Sequence, residues 1–202
     1  TSQQLPNKNT NNVSSSTSAP NTSNAQVTDI DGHQYKTVKI GTQEWMAEDL
    51  NVTHFRNGDP IPKKWQNLNS TDTIYYFDVP GSTSYKLYNW YAVNDPRGLA
   101  PTGWHVPTEP DLMILANYLG GYEVAGGKMK TTYGWLNNAN GTNESGFAGL
   151  PHGSYQDRTE FGGFGQYGEW WRAATRPWGE PIPLYLFSNG HAIDLSQGEV
   201  KT

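Results

Sequence analysis

The residues best suited to recognition chemistry lie between Tyr155 and Trp178, where Phe161, Phe164, Tyr167, Trp170 and Trp171 are interleaved with Arg158, Arg172 and Arg176. Aromatic faces stack on sugar rings and cations add directional donors, so this stretch has the ingredients of a glycan or protein contact surface. The competing reading is that Trp170 and Trp171 pack in the core and stand in for scarce aliphatic side chains. Adjacent residues on a strand face opposite ways, so one ring can be buried while the other is exposed. Trp178, set among Pro177, Gly179 and Pro181, is the better surface candidate. The ligand-binding candidates are Tyr155, Trp171, Arg172, Arg176, Trp178 and Glu180, on loops within residues 155 to 181.

Other chemistry finds little support. Glu48 and Asp49 are a carboxylate pair, but sequence neighbours on a strand diverge and cannot flank a glycosidic bond together. The five histidines, at positions 33, 54, 105, 152 and 191, lack metalloprotease or zinc-finger spacing, and His105 between Trp104 and Val106 reads as a hydrogen-bonded core residue. Asn137, Asn138, Asn140, Asn143 and Glu144 are rich in oxygen, yet Asn-rich turns usually serve backbone geometry. Calcium needs six to eight oxygen ligands, which neither Glu109-Pro110-Asp111 nor Glu180-Pro181-Ile182 supplies alone. No nucleophile elbow or phosphate loop occurs, and Asn-x-Ser/Thr triplets arise by chance in so polar a chain. The sequence thus assigns no catalytic residue, no metal ligand and no cofactor.

The elements that must position these residues are built from an unusual composition. Of 202 residues only 35% are apolar and 16% charged, while 22 Gly, 13 Pro, 8 Trp and 12 Tyr stand out, which describes loops and turns pinned by large rings. A formal charge of −5 with no basic stripe gives no footprint for nucleic acid. No run approaches the roughly 18 apolar residues of a membrane span. The absence of cysteine excludes disulfides, thiolate zinc sites and thiol catalysis.

Residues 1–26 are almost wholly Ser, Thr, Asn, Gln and Pro, and nothing there offsets the entropy of ordering, so a disordered linker or stalk is expected. A single domain follows over residues 27–202. Asp31-Gly32 opens a hairpin in which Tyr35, Val38 and Ile40 alternate with polar residues, and Gly41-Thr42 interrupts before Glu44-Trp45-Met46-Ala47. Ile74-Tyr75-Tyr76-Phe77 is a short buried run. Thr108-Glu109-Pro110-Asp111 starts a helix whose Leu112, Leu115, Ala116 and Leu119 share one face and which Gly120-Gly121 stops. A short helix is also expected near residues 88–93. After Gly126 short strands and Gly-rich turns return, so the predicted class is α+β.

The run from Asp31 to Asn51 (DGHQYKTVKIGTQEWMAEDLN), followed by Leu87-Tyr88-Asn89-Trp90, Pro101-Thr102-Gly103-Trp104-His105-Val106-Pro107-Thr108, Ala125-Gly126-Gly127-Lys128-Met129-Lys130, Asn143-Glu144-Ser145-Gly146-Phe147-Ala148-Gly149-Leu150-Pro151 and Tyr167-Gly168-Glu169-Trp170-Trp171, resembles the Fibrobacter succinogenes major paralogous domain of bacterial surface proteins. That resemblance spans nearly all of residues 29–175. It implies a C-type-lectin-like fold: a small twisted antiparallel sheet, one or two short helices and long loops. It also implies a non-catalytic recognition module displayed extracellularly, adhesin-like, with outer-membrane anchoring through a lipid upstream of residue 1. Two departures stand out: position 100 is Ala where relatives commonly carry Cys, and their closing strand has no counterpart before Thr202. The resemblance therefore implies that the edge of the hairpin near residues 35–48 is either covered by part of the polar tail or open to another chain, the latter making the protein an assembly subunit.

Overall fold

In the computed structural model, residues 3–4, 7–9, 26–64, 74–79, 81–82, 84–156, 160–177, 179 and 181–195 are described. The hairpin predicted from alternation is its centre. β4 (Gln34–Ile40) and β5 (Gln43–Met46) pair antiparallel, Ile40 opposite Gln43, across the two-residue turn Gly41-Thr42. Gly41 has φ of 61°, and a Cβ there would meet the Tyr118 ring at 2.9 Å, so both backbone and packing ask for glycine. β3 (Gln26–Thr28) lies on the far side of β4, and β2 (Asn7–Asn9) on the far side of β5, giving the order β2-β5-β4-β3.

A second sheet runs β1-β10-β11-β12, where β1 is Gln3–Gln4, β10 Tyr167–Trp171, β11 Leu184–Phe187 and β12 Ile193–Asp194. Two two-stranded ribbons complete the β structure: β6 (Tyr76–Asp78) with β7 (Lys86–Tyr88), and β8 (Ser154–Gln156) with β9 (Glu160–Gly162). Few helices and small, mostly antiparallel sheets make the chain α+β.

One of the expectations needs revision. The polar tail is not wholly unstructured, because Gln3–Gln4 and Asn7–Asn9 pair as strands. Backbone N–H and C=O groups are the same in every residue but proline, so a strand edge can order a segment that has nothing to bury. The hairpin edge at β5 is accordingly covered by the tail. Residues 184–187 and 193–194 do form strands, but they extend β10 and leave the hairpin alone.

The helices follow their local signals. α1 (Trp90–Val93) is capped by the Asn89 side chain, which accepts from Ala92 N. α2 (Glu109–Tyr118) begins with a reciprocal cap: Thr108 Oγ1 accepts from Asp111 N, and the Asp111 carboxylate accepts from Thr108 N. Leu112, Leu115, Ala116 and Leu119 are all buried, as their spacing predicts. α3 (Tyr122–Met129) was not anticipated, since Gly126-Gly127 reads as a breaker. Its glycines are there for close approach: a Cβ on Gly126 would lie 2.4 Å from Ala192 O, and one on Gly127 would lie 2.6 Å from His191 Nδ1. Gly126→Ala is therefore expected to cost about 2 kcal/mol through overpacking, measured as a lowered denaturation midpoint with unchanged m value.

Alternation along the strands feeds two cores. Val38, Ile40, Trp45 and Trp170 pack with the α2 and α3 side chains Leu112, Leu115, Ala125 and Met129. Tyr35, Met46 and Trp171 point the other way, into a cluster with Leu50, Phe55, Tyr88 and Trp104. The adjacent pairs Trp45-Met46 and Trp170-Trp171 thus split between cores, and both faces of the central strands are covered. A third cluster, Tyr75, Phe77, Val79 and Leu87, carries Tyr85, Tyr155 and Phe161 on its rim.

Candidate functional site

The chain leaves β5 at Ala47, and the next two side chains diverge. Glu48 turns outward, where its carboxylate accepts from Lys36 N at 2.7 Å. Asp49 turns inward, where its Oδ1 accepts from Trp170 Nε1 at 3.1 Å and its Oδ2 lies 3.2 Å from His152 Nε2. The Tyr85 ring covers His152 with centroids 4.0 Å apart, and Trp170 meets the imidazole edge-on at 6.5 Å. Burial pushes the Asp49 carboxyl up, opposed by His152 and the Trp170 donor. Burial pushes His152 down, opposed by Asp49. Tyr85 is raised by burial, with the Asp49 charge adding.

Asp49 and Tyr85 of this network line a groove of about 1030 Å³. One wall is the outer part of β4, including Gln34, Lys36 and Thr37; the other is the 143–150 segment with Asn143 and Ala148; Tyr85 and Tyr133 stand at its sides. The Tyr133 ring is 63% exposed, among the most open large side chains of the protein. Asn143 holds its wall in place, adopting φ of 51° and accepting from Ala148 N at 2.9 Å through Oδ1. Asn137 and Asn138 also take left-handed backbone, and Asn140 Oδ1 accepts from Trp135 N, so these asparagines do serve turn geometry.

Tyr35, at the groove's inner end, donates to Asp29 Oδ2 at 2.5 Å and accepts from Asn51 N. Burial and that bond raise its hydroxyl well above the ordinary range. Asp29, Asp31 and His33 bring three ligand-type atoms within 4.8 Å of one another. Asp29 already accepts from Asp31 N, His33 N and Tyr35, while Asp31 accepts from Thr53 N and Oγ1 and contacts His54 Nδ1. Those bonds tie the turn before β4 to residues 53–54, which is the work of a structural pin.

The residues singled out from the sequence do not form one surface. Trp171 is buried in the second core, its Nε1 donating to Tyr88 O at 2.7 Å and its ring 5.4 Å from Trp90. Arg172 is also buried and acts as a clasp: Nε donates to Ile182 O, Nη2 to Leu195 O, and Nη1 to Glu109 Oε2. The single-surface expectation fails for these two because β10, which carries Trp171, is covered on both faces, and because the guanidinium of Arg172 just past its end is taken up by Ile182, Leu195 and Glu109. Tyr155 stacks on Phe77 at 4.2 Å and meets Phe161 edge-on, so its ring supports the third cluster. Arg176 is half-buried beyond β10. Trp178 and Glu180 lie outside the described residues. His105 is hydrogen-bonded to Asp111 at 3.0 Å, as expected, but its side chain is 43% exposed.

Fold and groove together define an α+β domain whose loops build an open, mixed aromatic and polar cleft on a rigid double core. The chain belongs to the Fibrobacter succinogenes major domain family, whose profile matches residues 38–180, well over half its length. Neither the curated proteins nor the solved structures gave a match. Among the described residues no helix is long and apolar enough to cross a membrane.

Proposed function

We propose that this protein is a non-catalytic recognition module, displayed extracellularly on a bacterium, that binds a carbohydrate chain in the groove beside β4. The observation that carries this reading is the groove's lining: the exposed Tyr133 ring and the half-buried Tyr85 ring face a cleft whose other walls present Gln34, Lys36, Glu48 and Asp49. Sugars have apolar C–H faces and hydroxyl edges, and such a lining offers a stacking surface together with charged and amide partners. Binding is favoured over turnover because His152, the imidazole of this network, is 2% exposed and capped by Tyr85. A C-type-lectin-like arrangement is part of the proposal, supported by the short helices packed beside small sheets and by the long loops.

A glycan array with the whole chain tests it. The parent should bind at least one glycan class, and Tyr133→Ala should weaken that binding about tenfold, or about 1.4 kcal/mol. Absence of any signal for the parent would dispose of the carbohydrate reading, and equal binding by the variant would move the site elsewhere. Protein partners are distinguished by the same array carrying no signal while the parent retains saturable binding to a protein ligand.

A further inference from the structure

Phe164 is as open as Tyr133, each 63% exposed, and Leu136 is 46% exposed. The two turns that carry these side chains lie back to back. Leu136 N donates to Gly165 O at 2.8 Å, and Gly165 N donates to Pro151 O at 2.9 Å, next to the groove-lining Leu150. Gly165 has φ of 80°, and a Cβ there would come within 2.7 Å of Leu136 Cγ, so the Leu136 side chain lies over the glycine that follows Phe164. An apolar strip therefore leads from Tyr133, at the side of the groove, across Leu136 to Phe164. Single exposed rings are ordinary on a protein surface, whereas neighbouring ones mark a binding surface.

The strip is held from below. Between Tyr133 and Leu136, Trp135 points inward: it is 4% exposed, its Nε1 donates to Thr131 Oγ1 at 3.1 Å, its backbone N donates to Asn140 Oδ1 at 3.1 Å, and the Lys130 ammonium stands 4.9 Å from its ring centroid. The other turn is closed by Gln166 N, which donates to Gly163 O at 2.9 Å. Backbone fixed before a ligand arrives has little freedom left to lose on binding.

The strip carries no charge. No Asp, Glu, Lys or Arg occurs from Thr131 to Thr142 or from Phe161 to Gly168, and the exposed polar side chains of the two turns include the amides Asn137, Asn138 and Gln166. In the groove itself Lys36 Nζ faces Glu48 at 3.8 Å and Asp49 turns inward to Trp170, while the chain as a whole, at −5, repels polyanions. Rings and amides match the C–H faces and hydroxyls of an uncharged sugar. An anionic lipid surface would ask for lysines or arginines, which the strip lacks. We propose that the ligand is a neutral polysaccharide chain that runs from the groove over Leu136 and stacks a further sugar on Phe164. This rests on the carbohydrate reading of the groove and adds to it the charge and the length of the ligand, with Phe164 as the residue that senses length.

The test is isothermal titration of the whole chain with glucan, mannan and xylan trisaccharides and hexasaccharides, and with polygalacturonate hexasaccharide as the charged counterpart. For at least one neutral series the hexasaccharide should bind about tenfold more tightly than the trisaccharide, and about tenfold more tightly than polygalacturonate. Phe164→Ala should weaken the hexasaccharide about tenfold and leave the trisaccharide unchanged, whereas Phe164→Tyr should keep the parent affinity. Because the ring is exposed, its truncation should leave the denaturation midpoint in place, which separates lost stacking from lost folding. Equal affinity for the two lengths, or no loss in Phe164→Ala, would overturn the extension while the groove reading stands. Preference for polygalacturonate would overturn neutrality. No binding of any of these probes would overturn the inference as a whole, and the glycan array then decides separately whether the groove takes a carbohydrate.

Discussion

Trp170→Ala is expected to lower unfolding stability by about 4 kcal/mol, the upper range for truncating a buried aromatic. Trp170 is 2% exposed and belongs to the first core, where Phe147 stands between it and Trp45, with ring centroids 5.9 Å and 6.0 Å away. A Cβ on Gly149 would meet the Trp170 ring at 3.2 Å, so the ring also fills the space against which the 143–150 wall is built. Removing it opens a void that the backbone of that wall cannot close by side-chain motion, because glycine has none to offer. Trp170→Phe separates the two roles of the indole. It keeps most of the packing but loses the 3.1 Å donation to Asp49, and should cost about 2 kcal/mol. Denaturant titration reads both values. A cost for the alanine variant no greater than for the phenylalanine variant would mean that the packing contributes little.

That same ring shows where sequence patterns stop being informative. The hairpin was legible because Asp31-Gly32, the alternation of Tyr35, Val38 and Ile40, and Gly41-Thr42 agree with one another. α2 was legible because its cap and its buried face are written within twelve residues. For Trp170-Trp171, alternation correctly places the rings on opposite faces, but how many faces a strand buries is decided by elements far away in the chain: α2 and α3 on one side and residues 50–104 on the other. α3 was hidden because its glycines answer to His191 and Ala192 rather than to helix propensity. β1 and β2 were hidden because a backbone pairing leaves no trace in side-chain pattern. The groove is built the same way: Asp49 was weighed only against its neighbour Glu48, whereas its partners are His152 and Trp170, the latter 121 positions away. Tyr85 lies in a segment without periodicity, and no local signal marks it.

His152→Leu should cost about 3 kcal/mol at neutral pH and change how stability depends on pH. Leucine fills much of the imidazole's volume beneath Tyr85, so the loss is mainly polar: the Asp49 carboxyl keeps Trp170 but loses the imidazole nitrogen facing Oδ2, in a site that burial already makes unfavourable for charge. The pH signature follows from direction. In the folded chain the His152 pKa lies below its ordinary value of 6.5, so on acidification the unfolded chain takes up this proton first. Stability from this group is therefore complete above the unfolded value and falls as pH drops below 6.5, by at most about 1.4 kcal/mol per pH unit for one proton, until the folded form also protonates. Asp49 acts oppositely: its folded pKa is raised above 3.8, so the folded state gains the proton first and recovers some stability in the carboxylate range. Parent and His152→Leu are compared by denaturant titration at pH 7.5 and pH 5.5. The parent should lose more stability between these two pH values than the variant does, and the difference isolates His152 from the four other histidines, which both chains retain. Equal losses would place the charge of His152 in a site open to water.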